Sequence, residues 1–509
     1  MFGFHGLFGY SQLTIIRRTL SSTIFALSSG QGKCGVAVVR VSGPRAGNAL
    51  ICMTGFKKLP TPRLALLRSI RNPITKDVID KGLVLWFPGP NSFTGEDSCE
   101  FHIHGGIAVV TGVLEALSNL PQTTLAEPGE FTKRAFINGK LDLTEVEGLA
   151  DLLQAETELQ RKQAFLQTNG SLSKLYQKWK HTLLQSVAHI EAHIDFEETE
   201  TLEYGLIESV TKDISCLYNE LKTHLQDGRK GEMLRNGVKT IILGEPNVGK
   251  SSLFNFLCQR PVSIVTPISG TTRDVIEVTL NINGYPLVLL DTAGLRNSST
   301  DVIEIEGIQR ALEMYKNADL IILVIDIATY LSNYEKNNSQ TFEEFVREYV
   351  NSFLKIPDFF DNSDEKVSPH NIFKKNCVFV LNKTDINSID FDKQNILGAS
   401  QLNVVKISCK TETGMEDLIN VLSKELKTLC GEPSQEHPSM NQMRHREQLR
   451  KCLFNIENFL KESGKGSAGD LVIMAEYLRK SLRNLGKLLG TITTEDILDV
   501  IFKDFCIGK

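Results

Sequence analysis

Apolar and polar positions alternate along the first part of the chain in a way that predicts strands and helices in turn. Gly35–Val41 and Gly82–Phe87 are short apolar runs typical of strands, and Glu100–His104 alternates between apolar and polar residues. Ile107–Leu120 carries apolar residues at helical spacing. We therefore predict an α/β or α+β domain over residues 31–140.

A second pattern predicts long helices. No proline occurs between Pro128 and Pro246, and within 149–200 the apolar positions recur at helical spacing. The last part of the chain is again free of proline and amphipathic. We predict one discontinuous helical domain, an antiparallel bundle formed by residues 141–236 and 432–509.

Between these two helical segments the pattern changes to that of a doubly wound sheet. Strand-like runs, among them VKTIILG, PLVLLD, ADLIILVID and CVFVLN, are separated by helical lengths over residues 237–431. This α/β domain is predicted to be inserted into the helical domain. Residues 331–372 lengthen one connection with polar, acidic sequence and predict a loop or a peripheral helix.

The N-terminal residues have a separate composition. Eleven Lys and Arg but no Asp or Glu occur up to Lys76, and the first thirty residues are rich in Ser, Thr, Phe and Leu and carry Arg17 and Arg18. This composition is typical of a mitochondrial transit peptide, with a merely disordered terminus as the alternative. We assign residues 1–30 to this leader and exclude them from the fold.

Overall composition excludes several classes of protein. No stretch approaches 18 uncharged apolar residues, so a membrane span is not expected. The ten cysteines are never closer than 18 positions, which excludes CxxC metal sites and favours a reducing compartment. A formal charge of -5 means that any nucleic-acid contact must be a local patch or be made through a partner.

A phosphate-binding loop follows the first strand of the inserted domain. Gly244-Glu-Pro-Asn-Val-Gly249-Lys250-Ser251 links that strand to a helical run. In this motif backbone N–H groups bind phosphates, the lysine contacts the β and γ phosphates, and the serine ligates magnesium. This loop, in this context, predicts a nucleoside triphosphate site.

Three further motifs at strand ends narrow the nucleotide to GTP. These are DTAG at 291–294, NKTD at 382–385 and SCK at 408–410. Asp385 can accept hydrogen bonds from the guanine N1–H and N2–H groups, which adenine lacks. The predicted GTP contacts are Asn247, Val248, Gly249, Lys250, Ser251, Ser252, Thr266, Thr271, Thr272, Asp291, Thr292, Ala293, Gly294, Asn382, Lys383, Asp385, Ser408, Cys409 and Lys410.

Hydrolysis must use groups other than the usual glutamine. Leu295 stands where a Ras-like enzyme has its water-orienting Gln. Asn247 and residues 266–274 offer oxygens for a monovalent cation beside the phosphates, and Thr272 is the expected switch threonine on magnesium. Glu304 is a candidate for positioning water, or else a solvated carboxylate at a helix start.

Four separated motifs resemble one family. They are PGPNSFTGED at 88–97, PGEFTKRAFINGKLDLTEVEGLADL at 128–152, GEPNVGKSSLFN at 244–255 with SGTTRD, and the tail FCIGK. Together they resemble the tRNA-modifying GTPase family MnmE/TrmE in its mitochondrial form. The resemblance covers everything after residue 30, although Pro267 and Ser269 replace the more usual Asp and Ala.

The resemblance implies a multidomain α/β and all-α architecture: an N-terminal α/β tetrahydrofolate-binding domain that dimerises, a discontinuous helical domain and an inserted Ras-like G domain. It implies potassium-activated GTP hydrolysis in the mitochondrial matrix and modification of the wobble uridine of tRNA at carbon 5. The one-carbon donor would be 5,10-methylene- or 5-formyl-tetrahydrofolate, and FAD would enter only through an MnmG/GidA-like partner. A GTP-regulated assembly or ribosome-binding switch without one-carbon chemistry is the alternative.

The resemblance also assigns residues to these roles. Folate contacts fall on Arg40, Glu100, Lys140 and Lys509, each of which alone would be an ordinary surface charge. Potassium ligands fall on Asn247, Thr266, Ile268 and Thr271, and magnesium ligands on Ser251 and Thr272. The catalytic set comprises Glu304, Lys250, Asn247 and Cys506, the last being either catalytic or a bystander thiol.

Overall fold

The computed structural model describes most of the chain. The described residues are 22–196, 205–227, 229–259, 277–290, 314–336, 341–354, 356, 359–360, 373–386, 402–466, 469–492, 498, 501–502 and 505–509. Within them, no helix is long and apolar enough to cross a membrane.

The N-terminal α/β domain contains a six-stranded sheet in the order β3-β4-β5-β2-β1-β6. Its strands are β1 Thr23–Leu27, β2 Cys34–Ser42, β3 Leu66–Arg71, β4 Val78–Phe87, β5 Ser98–Gly105 and β6 Thr123–Leu125. The helices of this region are α1 Ala46–Thr54, α2 Ile107–Ser118 and α3 Glu130–Ile137. Buried residues such as Val39, Trp86 and Phe101 pack with residues of α1 and α2 in one core.

The predicted leader boundary at residue 30 is wrong. Thr23–Leu27 forms β1, which pairs with β2 on one side and β6 on the other. Ile24, Phe25 and Ala26 are buried. Because this strand lies inside the sheet, Thr23–Leu27 belongs to the folded domain and not to a leader. Residues 1–21, the rest of the predicted leader, lie outside the described residues.

Long helices occupy the proline-free segments, as predicted. They are α4 Leu143–Gln154, α5 Glu158–Thr168, α6 Ser171–Phe196, α7 Leu206–Leu225, α8 Lys230–Asn236, α13 Met443–Ser463 and α14 Leu471–Leu489. The chain forms two compact units. One comprises residues up to 150 with 167–188 and 478–509, and the other comprises 151–166 with 189–477.

The G domain contains a second six-stranded sheet in the order β12-β11-β10-β7-β9-β8. All neighbours are parallel except the edge pair β8 and β9. Its strands are β7 Val238–Leu243, β8 Glu277–Ile282, β9 Tyr285–Leu290, β10 Leu320–Asp326, β11 Asn376–Asn382 and β12 Val404–Lys406. Its described helices are α9 Lys250–Cys258, α10 Ile327–Lys336, α11 Phe342–Tyr349 and α12 Met415–Cys430.

The described part of segment 331–372 is not peripheral, contrary to the prediction. Helix α11 buries Phe342, Phe345, Val346 and Tyr349 in the same apolar cluster as residues of β10 and β11. A Thr341–Glu344 capping box begins the helix. The helix is therefore part of the core of the G domain.

Helix α8 leads directly into β7 and is fixed by a buried arginine. Arg446 of α13 is 7% exposed and donates to Glu232 Oε1 at 2.7 Å and Asp227 Oδ1 at 2.9 Å. Glu232 Oε2 accepts from Arg229 at 2.8 Å. Burial alone would raise the pKa of Glu232, but the hydrogen bonds from Arg446 and Arg229 outweigh it and lower that pKa.

We predict that Arg446→Met lowers the free energy of unfolding by about 3 kcal/mol at neutral pH, since it leaves Glu232 buried with one partner fewer. A carboxylate with a lowered folded-state pKa contributes stability that is lost as the pH falls through that pKa. The difference between variant and wild type should therefore shrink in acid. Urea unfolding at neutral and acidic pH measures both effects. Lys451→Met, which breaks only an exposed pair with Glu447, is the matched control.

Candidate functional site: the nucleotide and tail sites

The phosphate loop joins β7 to the start of α9 in a conformation that requires its glycines. Gly249 has φ +102°, and a Cβ there would lie 2.2 Å from Asn382 Nδ2. Asn247 also has positive φ, at 64°. Lys250 Nζ donates to the carbonyls of Gly244 at 2.8 Å and Glu245 at 2.6 Å. The loop thus places the N-terminus of α9 and the Lys250 ammonium together, as a phosphate site requires.

Asn382 connects this loop to the other two motifs. Its Nδ2 donates to Val248 O at 2.7 Å, and its Oδ1 accepts from Cys409 N at 3.1 Å. The side chain is only 2% exposed. One buried amide therefore joins the phosphate loop, the NKTD motif and the SCK motif.

The base-recognition motif lies at the carboxyl end of β11. Ser408 Oγ donates to Asp385 Oδ1 at 2.7 Å, and this hydrogen bond is the main cause that lowers the pKa of Asp385. Lys383 Nζ lies 2.6 Å from Asp326 Oδ2, at the end of β10. Asp385 is therefore an ionised acceptor, the state that guanine N–H groups need.

Asn382 thus joins the phosphate loop, the NKTD motif and the SCK motif, and the structure describes twelve of the predicted GTP contacts. These are Asn247, Val248, Gly249, Lys250, Ser251, Ser252, Asn382, Lys383, Asp385, Ser408, Cys409 and Lys410. Thr266, Ile268, Thr271, Thr272, Asp291, Thr292, Ala293, Gly294 and Glu304 lie outside the described residues. The potassium, switch and water-positioning assignments that involve them stay predictions.

Sequence reasoning missed Asp326, which follows β10 at the same sheet edge as the motifs. In sheets of this kind ligands bind at the carboxyl ends of the parallel strands. A polar residue that ends an apolar strand, as Asp326 does, is therefore the sequence feature that could have predicted this part of the site. Glu245 was also missed. It lies inside the phosphate-loop motif but is not among the predicted GTP contacts.

Three of the four predicted folate residues converge in the N-terminal unit. Arg40 on β2 faces Glu100 on β5, with Arg40 Nη2 3.0 Å from Glu100 Oε1. Glu100 Oε2 lies 3.3 Å from His102 Nε2. The Arg40 guanidinium lies 5.1 Å from the centroid of the Phe93 ring. A carboxylate, a guanidinium and an aromatic ring thus share one face of the sheet.

The C-terminal tail supplies the third residue. Gly508 has φ +94°, a Cβ there would lie 2.1 Å from Leu27 O, and Gly508 O accepts from Ser28 Oγ at 2.9 Å. Ile507 forms a β-bridge with Pro128. The pKa of Lys509 is lowered, first by burial and then by the positive charge of Arg40. The tail therefore holds the Lys509 ammonium beside Arg40 and Glu100.

Lys140 and Cys506 are placed differently. Lys140 Nζ donates to Pro90 O at 3.2 Å, in the same 88–97 loop that carries Phe93. Cys506 is exposed on the docked tail. His104 Nδ1 lies 2.8 Å from Asp80 Oδ1, and within the described residues no cluster of three or more His, Cys, Asp or Glu side chains could hold a metal ion.

A buried arginine fixes the 88–97 loop against α3. Arg134 is 3% exposed and lies 3.1 Å from Glu96 Oε2 and 2.9 Å from Glu130 Oε1. It also donates to Ser22 O at 2.8 Å. This network joins two of the motifs that the sequence singled out, and it supports the loop that carries Phe93.

Comparison with known proteins decides the family. A family model described as the MnmE helical domain matches residues 143–506, and one described as the GTP-binding protein TrmE N-terminus matches residues 23–140. This chain belongs to the MnmE family. The TrmE match begins at Thr23, where β1 begins.

Individual members of the MnmE family are similar over nearly the whole chain. The mitochondrial 5-taurinomethyluridine tRNA synthase subunit of Danio rerio is 47% identical over 96% of this chain and 93% of that protein. Its Homo sapiens counterpart is 44% identical over 96% of this chain and 93% of that protein. The tRNA modification GTPase MnmE of Parvibaculum lavamentivorans is 43% identical over 96% of this chain and 100% of that protein.

Membership of the MnmE family confirms the predicted enzyme class. The chain is a GTP hydrolase of tRNA modification, in agreement with the phosphate loop and the base motif built around Asn382. The mitochondrial relatives support a mitochondrial location, as its N-terminal composition predicted.

Proposed function

We propose that this protein is a potassium-activated GTPase that takes part in modifying the wobble uridine of mitochondrial tRNA at carbon 5. The group added would be of the aminomethyl type, carboxymethylaminomethyl or taurinomethyl. A tetrahydrofolate would supply the carbon, and an MnmG/GidA-like partner would supply FAD. The convergence of Arg40, Glu100 and Lys509 carries the proposal, because a GTP switch alone has no need of this second site.

The residues of the tail site, which we define as Arg40, Glu100 and Lys509 with Phe93, have side chains that suit a folate. The pterin of folate offers N–H donors that a carboxylate such as Glu100 accepts, and its glutamate tail needs cations such as Lys509. Phe93, beside Arg40, provides an aromatic surface for a ring. A bound tetrahydrofolate supplies the one-carbon unit, while these side chains orient it.

The proposed homodimer is supported by an apolar row on the same sheet. Leu67 on β3 and Leu83 on β4 are paired in register and are 53% and 42% exposed. Val36 on β2 is also 60% exposed, although it lies at a register shift and is not in line with this pair. Apolar side chains aligned on an open sheet face are typical of a protein interface. This row adjoins the strand positions of Arg40 and Glu100.

The nucleotide site fits a monovalent cation in its described part. Asn247 is in the phosphate loop between Gly244 and Gly249, so its side-chain oxygen can contribute to a cation beside the phosphates. We predict that GTP turnover is at least about tenfold faster in potassium than in sodium, the effect of one charge on the transferring phosphoryl group. Asn247→Ala should abolish this preference.

Steady-state GTP hydrolysis in matched potassium and sodium chloride tests this account. Asn255→Ala, in helix α9 beyond the loop, is the control that should keep the preference. Equal rates of wild-type GTP hydrolysis in both salts would refute the hypothesis that a monovalent cation compensates for the glutamine that Leu295 replaces.

One experiment separates the proposed function from its alternative. Binding of 5-formyl-tetrahydrofolate by calorimetry and GTP hydrolysis are measured on the same preparation. We expect both. Hydrolysis without folate binding would favour a GTP-regulated assembly or ribosome-binding switch.

A further inference from the structure

Helix α11 reaches the phosphate loop through one hydroxyl group. Tyr349, its last residue, accepts a hydrogen bond at its Oη from Glu245 N at 3.1 Å. The tyrosine is 2% exposed. We propose that Tyr349 is a positioning residue for GTP hydrolysis, which fixes the phosphate loop so that Lys250 and the start of α9 meet the phosphates. The proposal rests on the nucleotide site described above.

The ring of Tyr349 is held by its neighbours, so its hydroxyl has a defined position. The ring centroids of Phe345 and Phe353 lie 5.8 Å and 5.4 Å from that of Tyr349. Phe345 also contacts Tyr330 of α10 edge to face at 5.0 Å. The segment that lengthens the connection after β10 thus provides a rigid aromatic support for one hydroxyl.

Burial, more than the nearby charges, keeps this hydroxyl protonated. Burial, and then the carboxylates of Glu245 and Asp326, raise the pKa of Tyr349, although the Glu245 N–H bond acts in the opposite direction. Asp326 is itself held by Lys383 of the base motif. The hydroxyl therefore contacts the phosphate loop and feels the charge of the carboxylate that Lys383 contacts.

The backbone that Tyr349 fixes is the one that Lys250 contacts. Lys250 Nζ donates to the Gly244 carbonyl, in the same peptide group as the N–H that contacts Tyr349, and to the Glu245 carbonyl, in the next peptide group. Without the hydroxyl, the Glu245 N–H would lose its acceptor in a poorly solvated position. We expect the loop to move and to hold phosphates less well.

Tyr349→Phe removes the hydroxyl and keeps the ring. We expect the KM for GTP to rise about fivefold, the effect of one neutral hydrogen bond, with kcat changed less than about twofold. The melting temperature should stay within about 2 °C of the wild type. Tyr334→Phe is the matched control, since the ring of Tyr334 contacts Tyr330 and the substitution should leave KM unchanged.

Two results would overturn the proposal. One is an unchanged KM in Tyr349→Phe, and the other is an equal rise of the KM in the control Tyr334→Phe. A wild-type protein that hydrolyses no GTP would instead contradict the assignment of the nucleotide site. The wild-type measurement therefore separates failure of the proposed function from failure of this inference.

Discussion

Asn382→Ala should reduce the affinity for GTP about a hundredfold, because it removes two hydrogen bonds and leaves two backbone groups poorly satisfied. Val248 O loses its donor in the phosphate loop, and Cys409 N loses its acceptor in the SCK motif. The substitution thus separates the loop from the base motif. Titration of a fluorescent GTP analogue measures the effect.

Asn403→Ala is the matched control for Asn382. Asn403 Nδ2 donates to Glu425 at 2.6 Å in the same domain, and it contacts none of the nucleotide motifs in the described residues. This variant should bind the analogue as the wild type does. An affinity within threefold of wild type in Asn382→Ala would show that the amide does not organise the site.

Lys509→Gln should weaken tetrahydrofolate binding about thirtyfold, the effect of one charge-assisted contact, while GTP turnover stays within about twofold. Deletion of Lys509 should act in the same direction, since Gly508 still docks on Leu27 and Ser28. Lys509→Arg, which keeps the charge, should retain most of the affinity. Calorimetric titration with 5-formyl-tetrahydrofolate measures all three.

The same site predicts a dependence on pH. Because the pKa of Lys509 is lowered, its ammonium loses its proton at a lower pH than an ordinary lysine. Folate affinity should therefore be full at neutral pH and decline as the pH rises, and the decline should be absent in Lys509→Arg. Undiminished folate binding by Lys509→Gln would show that the tail is not part of the folate site.

The motifs of the nucleotide site could be predicted from the sequence because each is local. The phosphate loop, NKTD and SCK occupy strand ends as predicted, since spacing alone defines them. The bridging role of Asn382 could not be predicted, because it depends on strand order. For the same reason Arg40 and Glu100 become partners only through the register of β2 and β5.

Two errors have physical causes in the sequence itself. The strand at Thr23–Leu27 was included in the leader because its Ser- and Thr-rich surroundings resemble a transit peptide, although its short apolar run was a strand signal. In the 331–372 segment the many polar residues make the apolar face of a helix difficult to recognise. Phe342, Phe345, Val346 and Tyr349 follow the i, i+3, i+4, i+7 spacing that predicts a buried helix face.

The most direct test of the proposed function is mass spectrometry of mitochondrial tRNA wobble positions after loss of this protein. We predict that the aminomethyl-type group at carbon 5 of the wobble uridine disappears. The wild-type chain should restore it, and neither Asn382→Ala nor Lys509→Gln should restore it fully. Wobble uridines that keep the full modification in the absence of the protein would contradict the account.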